Sequence, residues 1–179
     1  MEYVNSDRTE RAEADQLVEP SRWRDGADHD CFLCRAAAKY GPAEQHDRRL
    51  LVVSRNSQTV IVLNRYPYNN GHALVAPLRH VGEFEELSKA EHAECAEQLR
   101  RLIGVYRSRM NAEGFNIGLN LGPAAGAGVP GHLHWHVVPR WPGDHNFMPV
   151  VAGTRVIPQS LDAVWELLTE ELRRVLLEE

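Results

Sequence analysis

Residues 131–140, Gly131 to Arg140, constrain this chain more than any other stretch. His132, His134 and His136 recur at spacing two, and Leu133, Trp135 and Val137 fall between them. A period of two is strand spacing, so the three imidazoles are expected to line one face of a β-strand, roughly 6.6 Å apart per step, with the apolar residues turned to a core. An imidazole is a nucleophile, a proton carrier and a metal ligand. The preceding loop, Asn120 to Gly131, is almost entirely Gly, Ala and Pro. With few side chains in the way, its backbone N–H groups are suited to approach an anion.

The 179 residues suffice for one compact domain with terminal additions. Twenty basic against 25 acidic residues give a net charge of −5. That argues against a coat for polymeric nucleic acid and against an anionic-membrane binder, so any nucleotide is expected in a local pocket. No run of about 18 apolar residues is present, so no membrane span is expected. The opening residues also lack the apolar centre of a secretory signal. Three cysteines do not make a disulfide framework, which fits a reduced, cytoplasmic setting.

Residues 1–27 are charged and polar and are expected to be poorly ordered or flap-like, with a helical turn at Ala12 to Leu17 and a docking role for Trp23. Residues 28–179 form the single domain. Cys31 and Cys34 make a Cys-x-x-Cys with three readings: half of a zinc site, a redox pair, or two unrelated buried thiols. A short helix over Ala36 to Tyr40 follows, ended by Gly41 and Pro42. The β-branched runs 50–54 and 59–64 suggest a hairpin, and 72–77 a third strand with His80 just beyond it. Ser88 and Glu91 form a capping box for a long helix. Its expected apolar stripe is Ala93, Ala96, Leu99, Ile103 and Tyr106, and Gly114 ends it. Residues 115–120 alternate as a fourth strand, antiparallel to the histidine strand. Val150–Val151 and Thr154–Ile157 suggest short strands. A final helix runs from Leu161 to Leu177, its stripe built from Leu161, Val164, Leu167, Leu168, Leu172, Val175 and Leu176. The expected class is α+β: an antiparallel sheet of about five strands, one long helix and a C-terminal helix.

His132 to Val138 resembles the histidine triad motif, His-x-His-x-His followed by apolar positions. Leu63 to Pro77 resembles the matching upstream segment, and the likeness runs from about Cys31 to Arg155. It is closest to the diadenosine tetraphosphate phosphorylase and fragile-histidine-triad branch, which implies a HIT-like fold and nucleotidyl transfer through a covalent nucleotidyl-histidine. Under that resemblance His134 is the nucleophile and His136 contacts phosphate or the leaving group. His72 orients the nucleophile, Asn64 holds a ribose, and Asn120 contacts phosphate or sugar. Backbone N–H groups around Gly126, Gly128 and Gly131 stabilise developing charge. Arg140 is a phosphate-charge candidate by its chemistry alone.

Zinc-bearing members of the wider superfamily pair two cysteines with two histidines. Here the resemblance implies Cys31, Cys34, His80 and His132 as a closed, structural zinc site, with no organic cofactor. It also implies an adenine-containing nucleotide substrate and a homodimer joined at the long helix and a sheet edge. The loop lacks the polar side chains of the hydrolase branch, which suggests inorganic phosphate as a second acceptor. Two other classes compete: a metallohydrolase using the strand histidines as catalytic zinc ligands, and a catalytically weak nucleotide-binding module.

Overall fold

A computed structural model describes residues 23–38, 43–144 and 159–178. The expected helical turn at 12–17 and the expected strands at 150–151 and 154–157 lie outside the described residues. Five strands form one antiparallel sheet: β1 (Val52–Arg55), β2 (Thr59–Leu63), β3 (Ala73–Pro77), β4 (Gly114–Leu119) and β5 (Trp135–Arg140), in the order β1-β2-β3-β5-β4. The helices are α1 (Phe32–Ala37), α2 (Ala43–Arg49), α3 (Lys89–Met110) and α4 (Leu161–Glu178). The α+β class, the five strands and the two long helices agree with the sequence. No helix among the described residues is long and apolar enough to cross a membrane.

β2 and β3 are buried along their whole length, as expected of central strands covered on both faces. β4 lies at one edge of the sheet and is largely exposed. Pairing β4 with β5 puts Leu119 opposite Trp135, Gly118 opposite His136 and Asn116 opposite Val138. On the other side of β5, Leu74 faces His136 and Val75 faces Trp135. His136 therefore sits between β3 and β4, flanked across the sheet by Leu74 and Gly118.

α3 starts as its sequence requires. Ser88 Oγ accepts the Glu91 N–H at 3.2 Å, and the Glu91 carboxylate accepts the Ser88 N–H at 2.8 Å. Arg79 also bonds Glu91 and, with the cap, holds its carboxyl down at about 2. The buried stripe differs from the expected one: it is Cys95, Gln98, Leu102, Val105 and Tyr106, while Ala93 and Ala96 are exposed. The face toward the sheet is chosen by the large Leu102 and Tyr106, and the alanines cannot compete with that area. Asn111, left-handed at φ 51°, ends the helix, and Gly114 opens β4 instead. α1 likewise starts earlier than expected, so Leu33, Cys34 and Arg35 are helical and buried. On α4 the buried set is Val164, Trp165, Leu168 and Leu172, with Leu176 exposed. Trp165 joins because its Nε1–H reaches the Val52 carbonyl at 2.8 Å, tying α4 to β1. Trp23 packs on the main core and stacks with His29 at 4.3 Å, so residues just before 28 already belong to the folded body.

Candidate active site and metal site

The histidine row is not one continuous strand. β5 starts at Trp135, and His132 and His134 precede it. The His132 N–H closes a turn onto the Val129 carbonyl at 3.2 Å, and the Leu133 N–H bonds the Val81 carbonyl at 2.8 Å. The first half of the motif thus leaves β4 to follow the segment after β3. Leu133 joins Val81 and Leu87 in a small second core, whereas Val137 lies in the main one.

That departure carries the His132 ring toward α1. Its Nε2–H donates to the Pro77 carbonyl at 2.9 Å, so the Nδ1 lone pair faces Cys31 Sγ at 3.4 Å and Cys34 Sγ at 3.5 Å. His80 Nδ1 approaches Cys34 Sγ at 3.1 Å. The four ligand atoms lie within 4.8 Å of one another. Two sulfur and two nitrogen donors at that separation suit a tetrahedral zinc ion, and the carbonyl on His132 is the outer partner such a ligand normally has. The Cys31 thiol is pushed well below its ordinary value, chiefly by the hydrogen bond from Cys34, and Cys34 is raised in return. The lowered Cys31 thiol favours the thiolate form that a metal ligand requires. The redox and unrelated-thiol readings of the cysteine pair lack what the metal reading has, two imidazoles on the same sulfurs.

Gly131 and Gly82 allow this crossing. A Cβ on Gly82 would stand 2.8 Å from the Pro130 carbonyl oxygen, and a Cβ on Gly131 would stand 3.1 Å from His80 Nε2. Gly131→Ala should therefore displace His80 and weaken zinc binding by about tenfold, measured by competition with a chromophoric chelator. Gly128→Ala meets no atom within 4 Å and should leave zinc binding unchanged.

His134 is buried at 7% exposure, and its Nδ1–H donates to the His132 carbonyl at 2.8 Å. Nε2 is left as the lone pair. Burial is the first cause that lowers the His134 pKa. The His136 ring lies 5.0 Å from that of His134 and is pushed down to about 4 by burial and by His134. Both rings are neutral at pH 7.

A chain of donors fixes the His136 tautomer. The Tyr68 N–H donates to His72 Nδ1 at 3.1 Å, and Asn64 Nδ2 approaches the same nitrogen at 3.3 Å. His72 Nε2 must then carry the proton, and it meets His136 Nδ1 at 3.0 Å. His136 therefore holds its own proton on Nε2, a buried donor with no partner among the described residues. His72, expected to orient His134, meets the neighbouring His136 through this hydrogen bond. Asn64, expected at a ribose, also acts on the His72 tautomer, its amide oriented by the Tyr66 N–H at 2.9 Å. Tyr68 was not singled out by sequence; its ring packs on His72 at 4.6 Å and stacks with His136 at 5.9 Å. The signal available was its place in the Pro/Asn/Gly turn directly before His72.

Asn120 follows Leu119, the last residue of β4 paired with β5, where Leu119 stands opposite Trp135. The loop N–H groups are fewer than expected. Gly126, left-handed at φ 80°, turns its N–H back to the Pro123 carbonyl at 3.1 Å, and Ala127 bonds the Gly122 carbonyl at 3.4 Å. Gly128 N–H has no backbone acceptor among the described residues. Arg140 stands at the far end of β5, its guanidinium held by Asp144 at 2.6 and 2.7 Å and by Asn116 at 2.8 Å. These contacts lie toward the end of β5 away from His134.

An antiparallel sheet ending in a buried histidine pair, with a Cys2His2 cluster beside it, defines the class of protein. The HIT domain family matches residues 46–143. The chain belongs to the HIT family. It is 46% identical over 128 residues to a protein of Mycobacterium tuberculosis named AP-4-A phosphorylase, a match covering 72% of this chain and 66% of that protein, just under two thirds of its length. It is 32% identical over 93 residues to an asymmetrical bis(5'-nucleosyl)-tetraphosphatase of Schizosaccharomyces pombe, covering 52% of this chain and 50% of that one. A Zn-bound histidine triad family protein from Mycobacterium smegmatis superposes with a TM-score of 0.60 at 28% identity, covering 72% of this chain and 88% of that one.

Proposed function

We propose that this chain is an enzyme that cleaves dinucleoside polyphosphates at the α-phosphate by passing a nucleotidyl group through His134. The observation that carries the reading is the Nδ1–H bond of the buried His134 to the His132 carbonyl, 2.8 Å long, which aims a neutral Nε2 lone pair outward. In the proposed step a Nε2–P bond forms while the bridging P–O bond breaks. Positive charge grows on the ring, and the same carbonyl stabilises it. The Nε2–H of His136 donates to phosphate or to the departing oxygen. Water or inorganic phosphate then takes the nucleotidyl group and frees His134. The name of the 46% identical relative and the absence of charged side chains from residues 121–131 favour phosphate as acceptor. An adenine-containing substrate is proposed on the same ground.

Cys31, Cys34, His80 and His132 would hold zinc in a structural role, supplying rigidity at the first motif histidine. A catalytic zinc on the strand histidines is disfavoured, because the His132 donor nitrogen faces the cysteines and the four ligands leave no open position. A homodimer is proposed as well, joined at α3 and the β4 edge. Ile117 on that edge is 43% exposed, and light scattering should give twice the chain mass.

The test is a product analysis on diadenosine tetraphosphate. AMP plus ATP is expected with water alone, and ADP plus ATP when phosphate is present. AMP plus ATP in both cases would refute phosphate as acceptor. Tight AMP binding without any turnover would favour the vestigial module.

The pH profile is a second expectation. A protonated His134 has no lone pair, so rate falls as pH falls through its pKa. That pKa lies below the ordinary histidine value, and His136 stays neutral down to about 4. The acid limb of kcat/KM should therefore lie below the ordinary histidine value of about 6.5. Half-loss at pH of about 6.5 or above would contradict it. Stability should also decline below pH of about 6.5, because the unfolded chain binds protons there that the folded histidines refuse.

A further inference from the structure

We propose that Asp144, acting through Asn69, is a positioning residue for the His72–His136 pair. Its catalytic consequence rests on the nucleotidyl-transfer reading above, but the geometry exists without substrate. The Asp144 carboxylate is 9% exposed and, among the described residues, accepts hydrogen bonds from Arg140, Trp141 and Asn69. Arg140 supplies two, at 2.6 and 2.7 Å, and the Trp141 N–H one at 3.2 Å. Those are contacts within one turn. The bond from Asn69 crosses 75 positions: its Nδ2 donates to Asp144 Oδ2 at 2.7 Å.

Asn69 lies in the turn between β2 and β3. Its Nδ2 also donates to the Pro139 carbonyl at 3.1 Å, and its own carbonyl accepts the His72 N–H at 3.1 Å. At the other end of the same turn the buried Tyr106 hydroxyl donates to the Gly71 carbonyl. Tyr68 is next to Asn69, and its N–H is the fixed donor that makes His72 Nδ1 an acceptor. The turn is thus clamped around the group that sets the His72 tautomer, and His72 sets that of His136. A carboxylate paired with Arg140 is a stronger acceptor for Asn69 than a neutral group. Arg140 thereby acquires a place in the site, as the cation that holds the clamp's carboxylate.

Releasing Asn69 loosens the Tyr68 N–H from His72 Nδ1, where the longer Asn64 contact at 3.3 Å stays in place. His72 then samples the tautomer in which Nε2 lacks a proton, and the His136 Nε2–H is no longer enforced. The effect is graded, since Asn64 remains.

The test uses the full chain loaded with zinc and the variants Asn69→Ala, Asp144→Ala and Asp144→Asn. Each alanine variant should lower kcat on diadenosine tetraphosphate by about 10- to 100-fold with KM changed less than about threefold. The double alanine variant should be no worse than the poorer single one, because both break one link. Asp144→Asn keeps an oxygen for Asn69 and should restore most of the rate. Nitrogen-15 NMR of the substrate-free protein should show the His72 ring passing from protonation at Nε2 to a mixture. A kcat within twofold of the parent in Asn69→Ala, or an unchanged tautomer pattern in it, would overturn the clamp. Should Asp144→Ala not fold, Asn69→Ala decides alone. If the parent turns over no dinucleoside polyphosphate, the nucleotidyl reading fails, and the NMR comparison still decides the clamp.

Discussion

His134→Ala is expected to reduce turnover of diadenosine tetraphosphate by on the order of a thousandfold or more while leaving the zinc content unchanged. The size of the effect follows from the absence of a substitute: His136 offers an N–H where a lone pair is needed, because His72 holds its Nδ1 as an acceptor. The fold should survive, since the His134 ring contributes to the site and not to the apolar core around Val137 and Val75. Thermal midpoints within about 3 °C of the parent are expected, a change of about 1 kcal/mol for a domain this size. An acid-quenched reaction of the parent should carry the mass of a nucleoside monophosphate on the peptide containing His134, and the variant should carry none. Retention of more than a tenth of the rate would sink the covalent mechanism. Loss of bound zinc in this variant would instead make His134 a metal ligand and favour the metallohydrolase.

Cys31→Ser should produce the opposite pattern. The thiolate is replaced by a hydroxyl that binds zinc poorly. Zinc content should fall severalfold, and the thermal midpoint should drop by about 10 °C, the equivalent of roughly 3–5 kcal/mol. Exhaustive chelation of the parent should do the same, reversibly on adding zinc back. The loss is large because the site ties α1 to residues 80 and 132, far apart in the chain, so metal binding closes long loops. Activity should fall less than in His134→Ala, through loosening of the His132 carbonyl that holds His134. Unchanged zinc content and melting in Cys31→Ser would remove the metal assignment.

Much of this was legible in the residues. The alternation of strands and turns, the Ser88–Glu91 cap and the leucine spacing of α4 are local signals, and each produced the element it announces. The four metal-binding candidates and the histidine pair were legible from motif resemblance, because ligand chemistry restricts which residues can serve. Rotational choices were not legible. Whether α3 buries Ala93 and Ala96 or Cys95 and Leu102 is a question of what the sheet offers opposite, and only the packed helix answers it.

Proton positions lie further still from the sequence. His132, His134 and His136 look equivalent as a row, yet one donates to Pro77, one to the His132 carbonyl, and one accepts from His72. The spacing determined that three imidazoles would stand close together on successive alternate positions. The tertiary structure decided which nitrogen of each is free, since a tautomer is set by the nearest fixed donor or carbonyl, and those come from Tyr68, Pro77 and the bend before β5.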